Sequence, residues 1–419
     1  MIEDPLARRA RLMGGNVPQL YAEPLHLVRG QGVWLHDARG RKYLDCYNNT
    51  AHVGHCHPGV VEAVHRQSRT LNTGTRYVST VLLDYLDRLV ATFDPPLRQV
   101  LMTCTGSEAN DVAIRMCQAA TGATGLIATD ATYHGNTALT SALSTRRPPV
   151  GGCPPNVRLV PAPSATDPLG GSLEAQPEAL AAAVAVAARD LRAEGHGVAA
   201  LVLCPILANE GLIAAMPDLL GPAVAAVRAA GGLILCDEVQ PGFGRIGSQM
   251  WGHAAIGLSP DVATLGKPMA NGYPVAAVVA RPEVMAAFRS AFGYFNTFAG
   301  TPVGAAAGMA VLDALEGEDL IGNARRVGYH ALARLGALDH PAVAGVRGAG
   351  LFLAVELGGP DRRARAARVV EGMKDRGVLI GATGRDDHVL KIRPPMTATR
   401  GNLDLAVDTL EAALADLPA

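Results

Sequence analysis

The feature of the sequence that most constrains its fold is a series of short, continuous apolar runs between Val100 and Val279. Each run has the length of one strand, and helical segments or loops separate several of them. Strands that are buried on both faces are apolar at every position, so this series predicts a mainly parallel β-sheet covered by helices. The predicted strands are QVLMTCT, GLIATD, VRLVPA, AALVLCP, GLILCDEV, DVATLG and VAAVVA.

The segments on either side of this series have other patterns. The opening segment LVRGQGVWLHDARGRKYLDCYN alternates apolar and polar positions around a turn at Asp37–Gly40, which predicts short strands. After about Pro302, helical segments combine with a strand pair, which predicts a small α+β domain. We therefore expect an α/β protein with a large domain over 46–303 and a small C-terminal domain over 304–419, which residues 1–45 join.

Composition excludes several classes of function. The formal net charge of −1 gives no attraction to nucleic acid or to an anionic membrane. No apolar stretch has the continuity of a secretory signal or of a membrane span. The seven cysteines are scattered and include no C-x-x-C pair, unlike a disulfide framework. We expect a cytoplasmic protein that binds small molecules and has no nucleic-acid or membrane partner.

Lysine is rare in this chain, which has 33 arginines but only four lysines. Where arginine occupies nearly every basic position, Schiff-base chemistry is one reason to retain a lysine. An amine can lose its proton and add to an aldehyde, whereas a guanidinium cannot. Lys267 follows the apolar run DVATLG, and at the mouth of a buried strand its pKa would fall toward the reactive neutral form. The alternative is an ordinary solvated loop lysine. Lys391, in HVLKIRPP, could face either side of a strand.

Three further motifs place polar groups at the ends of predicted elements. Asp237 ends the strand GLILCDEV, and ligands bind at the carboxyl edge of an α/β sheet, where a carboxylate can keep a pyridine nitrogen protonated. A helix cap or a structural ion pair is the alternative for Asp237. Gly106 and Ser107 open a helix, whose free N–H groups bind phosphate. Tyr133 and His134 follow another apolar strand, where an aromatic ring could cover a cofactor.

In this order the residues resemble the class III aminotransferases, which are fold-type I pyridoxal 5′-phosphate (PLP) enzymes of the ornithine and 4-aminobutyrate aminotransferase kind. The resemblance covers essentially the whole chain and implies a seven-stranded, mainly parallel sheet in a large domain, a small domain, and a homodimer with shared active sites. It is carried by YLDCYNNTAHVGHCHPGVVEAV, TGSEAND, YHG, DEVQPGFGR, LGKPMANGYP, NTFAGTP and KIRPP.

The resemblance also implies a role for each matching residue. Lys267 would hold PLP as a Schiff base and shuttle the proton at the substrate α-carbon, and Asp237 would pair with the pyridine nitrogen. The other implied contacts are Val239 on the ring, Gln240 at the phenolic oxygen, Tyr133 or His134 on the opposite face, Gly106, Ser107 and the partner subunit's Thr297 at the phosphate, and Arg393 at a substrate carboxylate.

Two positions depart from the family pattern. The family commonly has an acidic residue before proline in the strand that precedes the cofactor aspartate, and here Cys204 precedes Pro205. Glu210, in ANEGL, is the candidate to supply that carboxylate. The usual GGNP is AGTP from Ala299 to Pro302. These changes leave cofactor binding intact and bear on the amino-acceptor pocket.

The expected activity is transfer of an amino group between a primary amine or amino acid and a keto acid. Elimination of a β-leaving group is the alternative. The chain shares NNxAHVGHCHP, LNT, GKPM, NGxP and YFNT with the family branch that contains phospho-lyases acting on phosphoethanolamine and phosphohydroxylysine. The same carbanion feeds either reaction, and pocket geometry decides between them.

A metal site is the alternative interpretation of one histidine-rich loop. Its candidate ligands are His52, His55, Cys56 and His57. This short loop does not provide an evident zinc geometry, so no metal is expected. LGKPM lacks the spacing of a nucleotide-binding loop, and the chain has no G-x-S-x-G elbow. A non-catalytic protein with a PLP-enzyme fold is disfavoured because Lys267 and Asp237 are both present.

Overall fold

The structure is a computed structural model that describes residues 4–146, 148–213 and 217–418. Within these ranges the chain forms fifteen strands and thirteen α-helices. The strands are β1 Leu27–Gln31, β2 Trp34–Asp37, β3 Lys42–Asp45, β4 Gln99–Thr103, β5 Leu126–Thr129, β6 Val157–Val160, β7 Ala200–Leu203, β8 Leu233–Asp237, β9 Val262–Leu265, β10 Ala276–Ala280, β11 Val343–Ala349, β12 Phe352–Leu357, β13 Val378–Leu379, β14 Gly381–Thr383 and β15 Val389–Ile392. The helices are α1 Pro5–Met13, α2 Pro58–Ser68, α3 Thr80–Ala91, α4 Gly106–Thr121, α5 Ala138–Ser141, α6 Gln176–Ala193, α7 Pro217–Ala229, α8 Gly252–Ala255, α9 Pro282–Ala291, α10 Pro302–Gly317, α11 Leu320–Gly336, α12 Arg362–Asp375 and α13 Arg400–Ala415.

Seven strands form a central sheet in the order β4-β10-β9-β8-β7-β5-β6. The pairs from β9 to β6 are parallel, and β10 runs antiparallel to both of its neighbours. These strands are the seven predicted apolar runs, so the prediction of an α/β protein with a mainly parallel seven-stranded sheet is confirmed. Every residue of β5, β7, β9 and β10 is buried, as expected for strands covered on both faces.

Alternate residues of these strands pack on opposite layers of helices. Ile127 and Leu201 belong to one apolar cluster with residues of α6 and α7. Ala128 and Val202, one position further along the same strands, belong to a second cluster with residues of α4 and α9. The sheet therefore lies between two helical layers, and its carboxyl edge remains available for polar groups.

Two four-stranded sheets complete the fold, in the orders β1-β2-β3-β13 and β11-β12-β15-β14. β3 and β13 are parallel, with Leu44 opposite Val378, so the N-terminal strands share a sheet with the C-terminal segment. β15 lies between β12 and β14 and leads into the predicted substrate-binding Arg393. The division at 1–45, 46–303 and 304–419 stays a prediction.

Two properties of the described residues bear on the sequence-based expectations. No helix among them combines the length and the apolar character needed to cross a membrane. All seven cysteines are free thiols.

Candidate active site

Asp237 is the last residue of β8, at the carboxyl edge of the central sheet, and only 6% of it is exposed. Its Oδ2 accepts hydrogen bonds from His134 Nδ1 (2.7 Å) and Asn110 Nδ2 (3.0 Å), and its Oδ1 accepts one from the Val239 backbone N–H (3.0 Å). Burial alone would raise the pKa of Asp237, but the hydrogen bond and charge of His134, with the charge of Lys267, hold it below its ordinary value. The carboxylate is therefore ionised and held in one orientation.

Asn110 links Asp237 to the next strand of the sheet. Its Nδ2 also donates to the His134 carbonyl (2.8 Å), and its Oδ1 accepts a hydrogen bond from the Thr264 hydroxyl of β9 (2.6 Å). Asn110 lies one turn into α4, within the motif TGSEAND. Sequence reasoning missed its role because an asparagine inside a helix gives no indication of which distant carboxylate it will meet.

Lys267 follows β9 and Gly266 directly. Its side chain is accessible to solvent, and no hydrogen bond or ion pair links it to another described residue. The surrounding protein desolvates the amine and lowers its pKa, an effect that Asp237 opposes and Arg393 reinforces. An amine that is free of partners and partly desolvated is suited to add to an aldehyde.

Three backbone segments converge here with little room for side chains. A Cβ at Gly106 would lie 2.9 Å from Val239 Cγ1, and a Cβ at Gly266 would lie 3.3 Å from the Gly106 nitrogen. Gly106 is the first residue of α4, and the half-buried Ser107 follows it. The first turn of α4 offers backbone N–H groups to a phosphate. The branched side chain of Val239, which lies against that turn, offers an apolar surface to a ring.

Arg393 and Gln240 form a second polar group, on the side of β15. Arg393 Nη1 donates to Gln240 Oε1 (2.9 Å) and Nη2 donates to the Tyr47 carbonyl (2.9 Å). Both partners are uncharged, and Arg393 Nε has no hydrogen-bond partner among the described residues. Burial lowers the pKa of Arg393 to about 10, which leaves it charged at neutral pH. Gln240 Nε2 donates to Asn209 Oδ1 (3.2 Å), so one chain of contacts runs from the guanidinium to the loop after β7.

Glu210 is buried, and both of its hydrogen-bond donors within the described ranges are uncharged. Its Oε1 accepts a hydrogen bond from the Thr129 hydroxyl at the end of β5 (2.6 Å), and its Oε2 accepts one from the Asn209 backbone N–H (3.0 Å). Cys204, directly after β7, is also buried. Burial, Asp237 and Glu210 all raise the pKa of Cys204, so the position where the family commonly carries an acid holds a neutral thiol.

The two candidates for the face of the cofactor ring occupy different places. His134 is buried with both ring nitrogens engaged, Nδ1 with Asp237 and Nε2 with the Thr132 hydroxyl (3.1 Å). Tyr133 is half-buried, and no hydrogen bond of its hydroxyl occurs within the described ranges. Thr297 is exposed in the loop between α9 and α10.

The histidine-rich loop before α2 is held by protein contacts. These are His52 Nε2 to the Phe243 carbonyl (2.7 Å), His55 Nε2 to Asp45 (2.6 Å) and His57 Nε2 to Glu318 (2.8 Å). Cys56 is not among the buried thiols. In the part of the chain that the structure describes, no three His, Cys, Asp or Glu side chains are grouped so as to hold a metal ion.

The residues at the carboxyl edge fit PLP. Asp237 supplies a fixed carboxylate for a pyridine nitrogen, Lys267 supplies a free amine for an aldehyde, and the start of α4 supplies N–H groups for a phosphate. A side chain at Gly106 would fill the space beside Val239. Together with the doubly covered parallel sheet, these groups define a PLP-dependent enzyme of fold-type I.

The chain belongs to the class III aminotransferase family, because the family model described as "Aminotransferase class-III" matches residues 18–414. Its fold is similar to that of a phospholyase from Arthrobacter in complex with phosphoethanolamine, with a TM-score of 0.94 and 40% sequence identity over 99% of this chain and all of that chain. The structure of a transaminase variant with SMBA has a TM-score of 0.85 and 27% identity over 94% of this chain and 98% of that chain. The predicted family and cofactor are thereby confirmed.

Curated relatives have names of two kinds. "Alanine--glyoxylate aminotransferase 2-like" from Drosophila melanogaster is 37% identical over 93% of this chain and 83% of the relative. "Ethanolamine-phosphate phospho-lyase homolog 1" from Caenorhabditis elegans is 34% identical over 98% of this chain and 93% of the relative. The family is therefore established, whereas the names leave the reaction divided between transfer and elimination.

Proposed function

We propose that this protein is a PLP-dependent lyase that eliminates phosphate from a small amino-phosphate such as phosphoethanolamine. The observation that carries the proposal is the charge beside the cofactor site: Arg393 is buried against uncharged partners, and its Nε is unpaired among the described residues. Cys204 contributes no negative charge. A buried cation is costly without an anion, and an anionic group on the substrate would supply one. The Arthrobacter and C. elegans relatives named as phospho-lyases support this choice.

PLP, when bound, withdraws electrons from the carbon that carries the substrate amine. We assign removal of the proton from that carbon to Lys267 Nζ, which is freed when the substrate amine takes its place. Arg393 holds the phosphate and neutralises its charge as the neighbouring C–O bond breaks. The carbon that carried the phosphate then takes up a proton, and water releases the nitrogen as ammonia, so the products are phosphate, ammonia and an aldehyde.

We assign the cofactor contacts as the family resemblance implies. Tyr133 is the better candidate for the ring face, because both ring nitrogens of His134 are already engaged and one of them orients Asp237. The remaining proposed contacts are Val239 on the ring, Gln240 at the phenolic oxygen, and Gly106 and Ser107 at the phosphate.

We also propose a cytoplasmic homodimer in which the partner subunit's Thr297 reaches the phosphate. A Cβ at Gly74 would lie 3.6 Å from the Thr297 carbonyl, so these two segments are neighbours. The residues beside them include Tyr77, Val78 and Phe298, which are 71%, 89% and 74% exposed. Exposed apolar and aromatic side chains of this kind mark interfaces between protein chains.

Transamination is the second candidate. The Drosophila relative supports it, and Arg393 would then hold a substrate carboxylate through a bidentate contact. Glu210 remains a candidate for the amino-acceptor pocket, although its hydrogen bonds in the described chain are to Thr129 and Asn209.

Incubation of the PLP-loaded protein with phosphoethanolamine distinguishes the two reactions. We expect equal amounts of phosphate and ammonia to be released over many turnovers, while the absorbance band of the bound cofactor returns after each addition. Conversion of the cofactor to its pyridoxamine form without phosphate release would overturn the lyase assignment and favour transamination. Absence of a cofactor band after PLP is added would overturn the assignment of Lys267.

A further inference from the structure

Lys391 is a second buried basic side chain near the proposed substrate site. It lies in β15, which pairs with β12 on one side and with β14 on the other. Only 6% of Lys391 is exposed. Arg393 follows two positions later, directly after the end of β15, and its charge acts on the Lys391 amine. Neither residue forms an ion pair with a carboxylate in the described part of the chain.

The contacts of Lys391 leave one N–H donor without an acceptor when the amine is charged. Nζ donates to the Ala208 carbonyl (3.1 Å) and to the Thr383 hydroxyl (3.4 Å), whereas an ammonium has three N–H donors. Ala208 precedes Asn209, the residue that accepts the hydrogen bond from Gln240. Lys391 and Arg393 are therefore connected to the same loop, which borders the cofactor site.

Positive charge surrounds Lys391. Burial lowers its pKa well below the ordinary value, and the nearby cations Arg393, Arg146 and Lys267 lower it further, so this amine releases its proton more readily than a solvated lysine does. Of these cations, Arg146 has its own partner in Asp387. An anion bound beside this amine would favour its charged form, whereas a tightly packed apolar side chain would serve a purely structural role without burying an amine.

We propose that Lys391 is a specificity-determining residue that, together with Arg393, provides two positive charges for a phosphate dianion on the substrate. A phosphate group carries close to two negative charges at neutral pH, whereas a carboxylate carries one. The pair of cations therefore favours phosphorylated amines over amines that end in a carboxylate. This inference rests on the proposed function, in which the substrate is a small amine with a terminal anion.

The test compares the PLP-loaded wild type with Lys391→Met, which keeps the length of the side chain and removes its charge. Three amines are titrated against the absorbance of the bound cofactor: phosphoethanolamine, β-alanine and propylamine. For Lys391→Met we expect the half-saturating concentration of phosphoethanolamine to rise at least about tenfold, that of β-alanine to rise less, and that of propylamine to stay the same. Lys391→Arg, which keeps the charge, should preserve most of the preference for phosphoethanolamine.

Thermal unfolding separates this role from a structural one. We expect Lys391→Met to unfold at a temperature no lower than that of the wild type, because the variant replaces a buried amine that has no counterion by an apolar side chain of similar length. An equal change for all three amines, or no change for phosphoethanolamine, would overturn the proposal. If Lys391→Met does not fold, the charge-preserving Lys391→Arg and the neutral, polar Lys391→Gln are compared with each other. The comparison uses the half-saturating concentrations of the same three amines.

Phosphate release by the wild type is measured in the same experiment and reports on the reaction alone. If Lys391→Met loses the preference for phosphoethanolamine but the wild type releases no phosphate, the role of Lys391 is supported and the lyase assignment is overturned. If the wild type releases phosphate but Lys391→Met keeps the wild-type preference among the three amines, the lyase assignment is supported and the role of Lys391 is overturned.

Discussion

The carboxyl edge of the central sheet and the strand β15 both place buried ionisable groups near Lys267. The two regions differ in the partners that the fold gives to those groups. At the sheet edge, three hydrogen bonds from within the chain hold Asp237, one of them from His134. In β15 and directly after it, Lys391 and Arg393 donate hydrogen bonds only to uncharged groups of the described chain. In the first region the charge has fixed partners, whereas in the second neither basic side chain is ion-paired with a carboxylate of the described chain, although the charge of Asp45 acts on Arg393.

This difference indicates which part of the site serves a permanent cofactor and which serves a transient ligand. A group that must keep one protonation state and one orientation benefits from fixed partners. A group that binds and releases an anion in each turnover would be blocked by an internal carboxylate. Glu356, also in the C-terminal segment, shows that the fold can pair its cations: it contacts Arg347 (2.6 Å) and His388 (3.2 Å).

The largest expected effect tests the sheet edge. Lys267→Ala should reduce turnover by at least about a thousandfold, because it removes both the group that holds PLP and the group assigned to move the proton. Lys267→Arg, the matched control that keeps the positive charge, should be equally inactive because a guanidinium does not form the Schiff base. Steady-state phosphate release measures both variants, and near-normal turnover by either would contradict the role of Lys267.

A smaller effect is expected at β15. Arg393→Ala should raise the KM for phosphoethanolamine about 10- to 100-fold, because charge-assisted hydrogen bonds to the anion are lost. Arg393→Lys keeps one charge without the planar fork and should fall between the wild type and Arg393→Ala. Initial rates over a range of phosphoethanolamine concentrations measure this. An unchanged KM in Arg393→Ala would show that Arg393 does not bind the substrate. It would also contradict the claim that the basic side chains at β15 bind a transient anion.

The smallest effect on activity is expected where the charges are already paired. Burial alone would raise the pKa of Glu356, but hydrogen bonds from His388 and Thr166 and the charge of Arg347 lower it from 4.5 to about 2. Because the folded-state pKa is depressed, the stabilisation is present above pH 4.5 and is lost as the pH falls toward 2. A shift of this size corresponds to roughly 3 kcal/mol at neutral pH.

Glu356→Gln should therefore reduce the free energy of unfolding at pH 7 by about 1–3 kcal/mol and leave the KM for phosphoethanolamine unchanged. Its stability should also depend less on pH below 4.5 than that of the wild type. Urea denaturation at several pH values measures both, with Glu283→Gln, at an exposed ion pair, as the control that should show almost no change. A raised KM without lost stability would place Glu356 in the substrate site instead.

The sequence predicts the central sheet well, because strands such as β7 and β9 are buried at every position and therefore appear as unbroken apolar runs. The family and cofactor follow from motifs around Lys267 and Asp237. The rarity of lysine drew attention to Lys391 as well. The sequence did not predict which face of the strand carries the Lys391 side chain. That face depends on the pairing of β15 with distant strands, here β12 and β14.

The contacts that orient the site are harder to predict because they join remote parts of the chain. Asn110 and Asp237 are 127 positions apart, and Gln240 and Arg393 are 153 positions apart. Neither pair has a local pattern that links its members. The sequence also left Tyr133 and His134 as equal candidates, and only the position of the His134 ring between Thr132 and Asp237 separates their environments.

The most direct test of this account is a crystal structure of the PLP-loaded enzyme with 3-aminopropylphosphonate, in which a CH₂ group replaces the bridging oxygen and prevents elimination. The account predicts that the phosphonate oxygens lie within hydrogen-bond distance of the Arg393 guanidinium and on the Lys391 side of the site. A phosphonate bound away from both cations, with the contact between Arg393 and Gln240 unchanged, would contradict the claim that β15 provides the charge for the substrate.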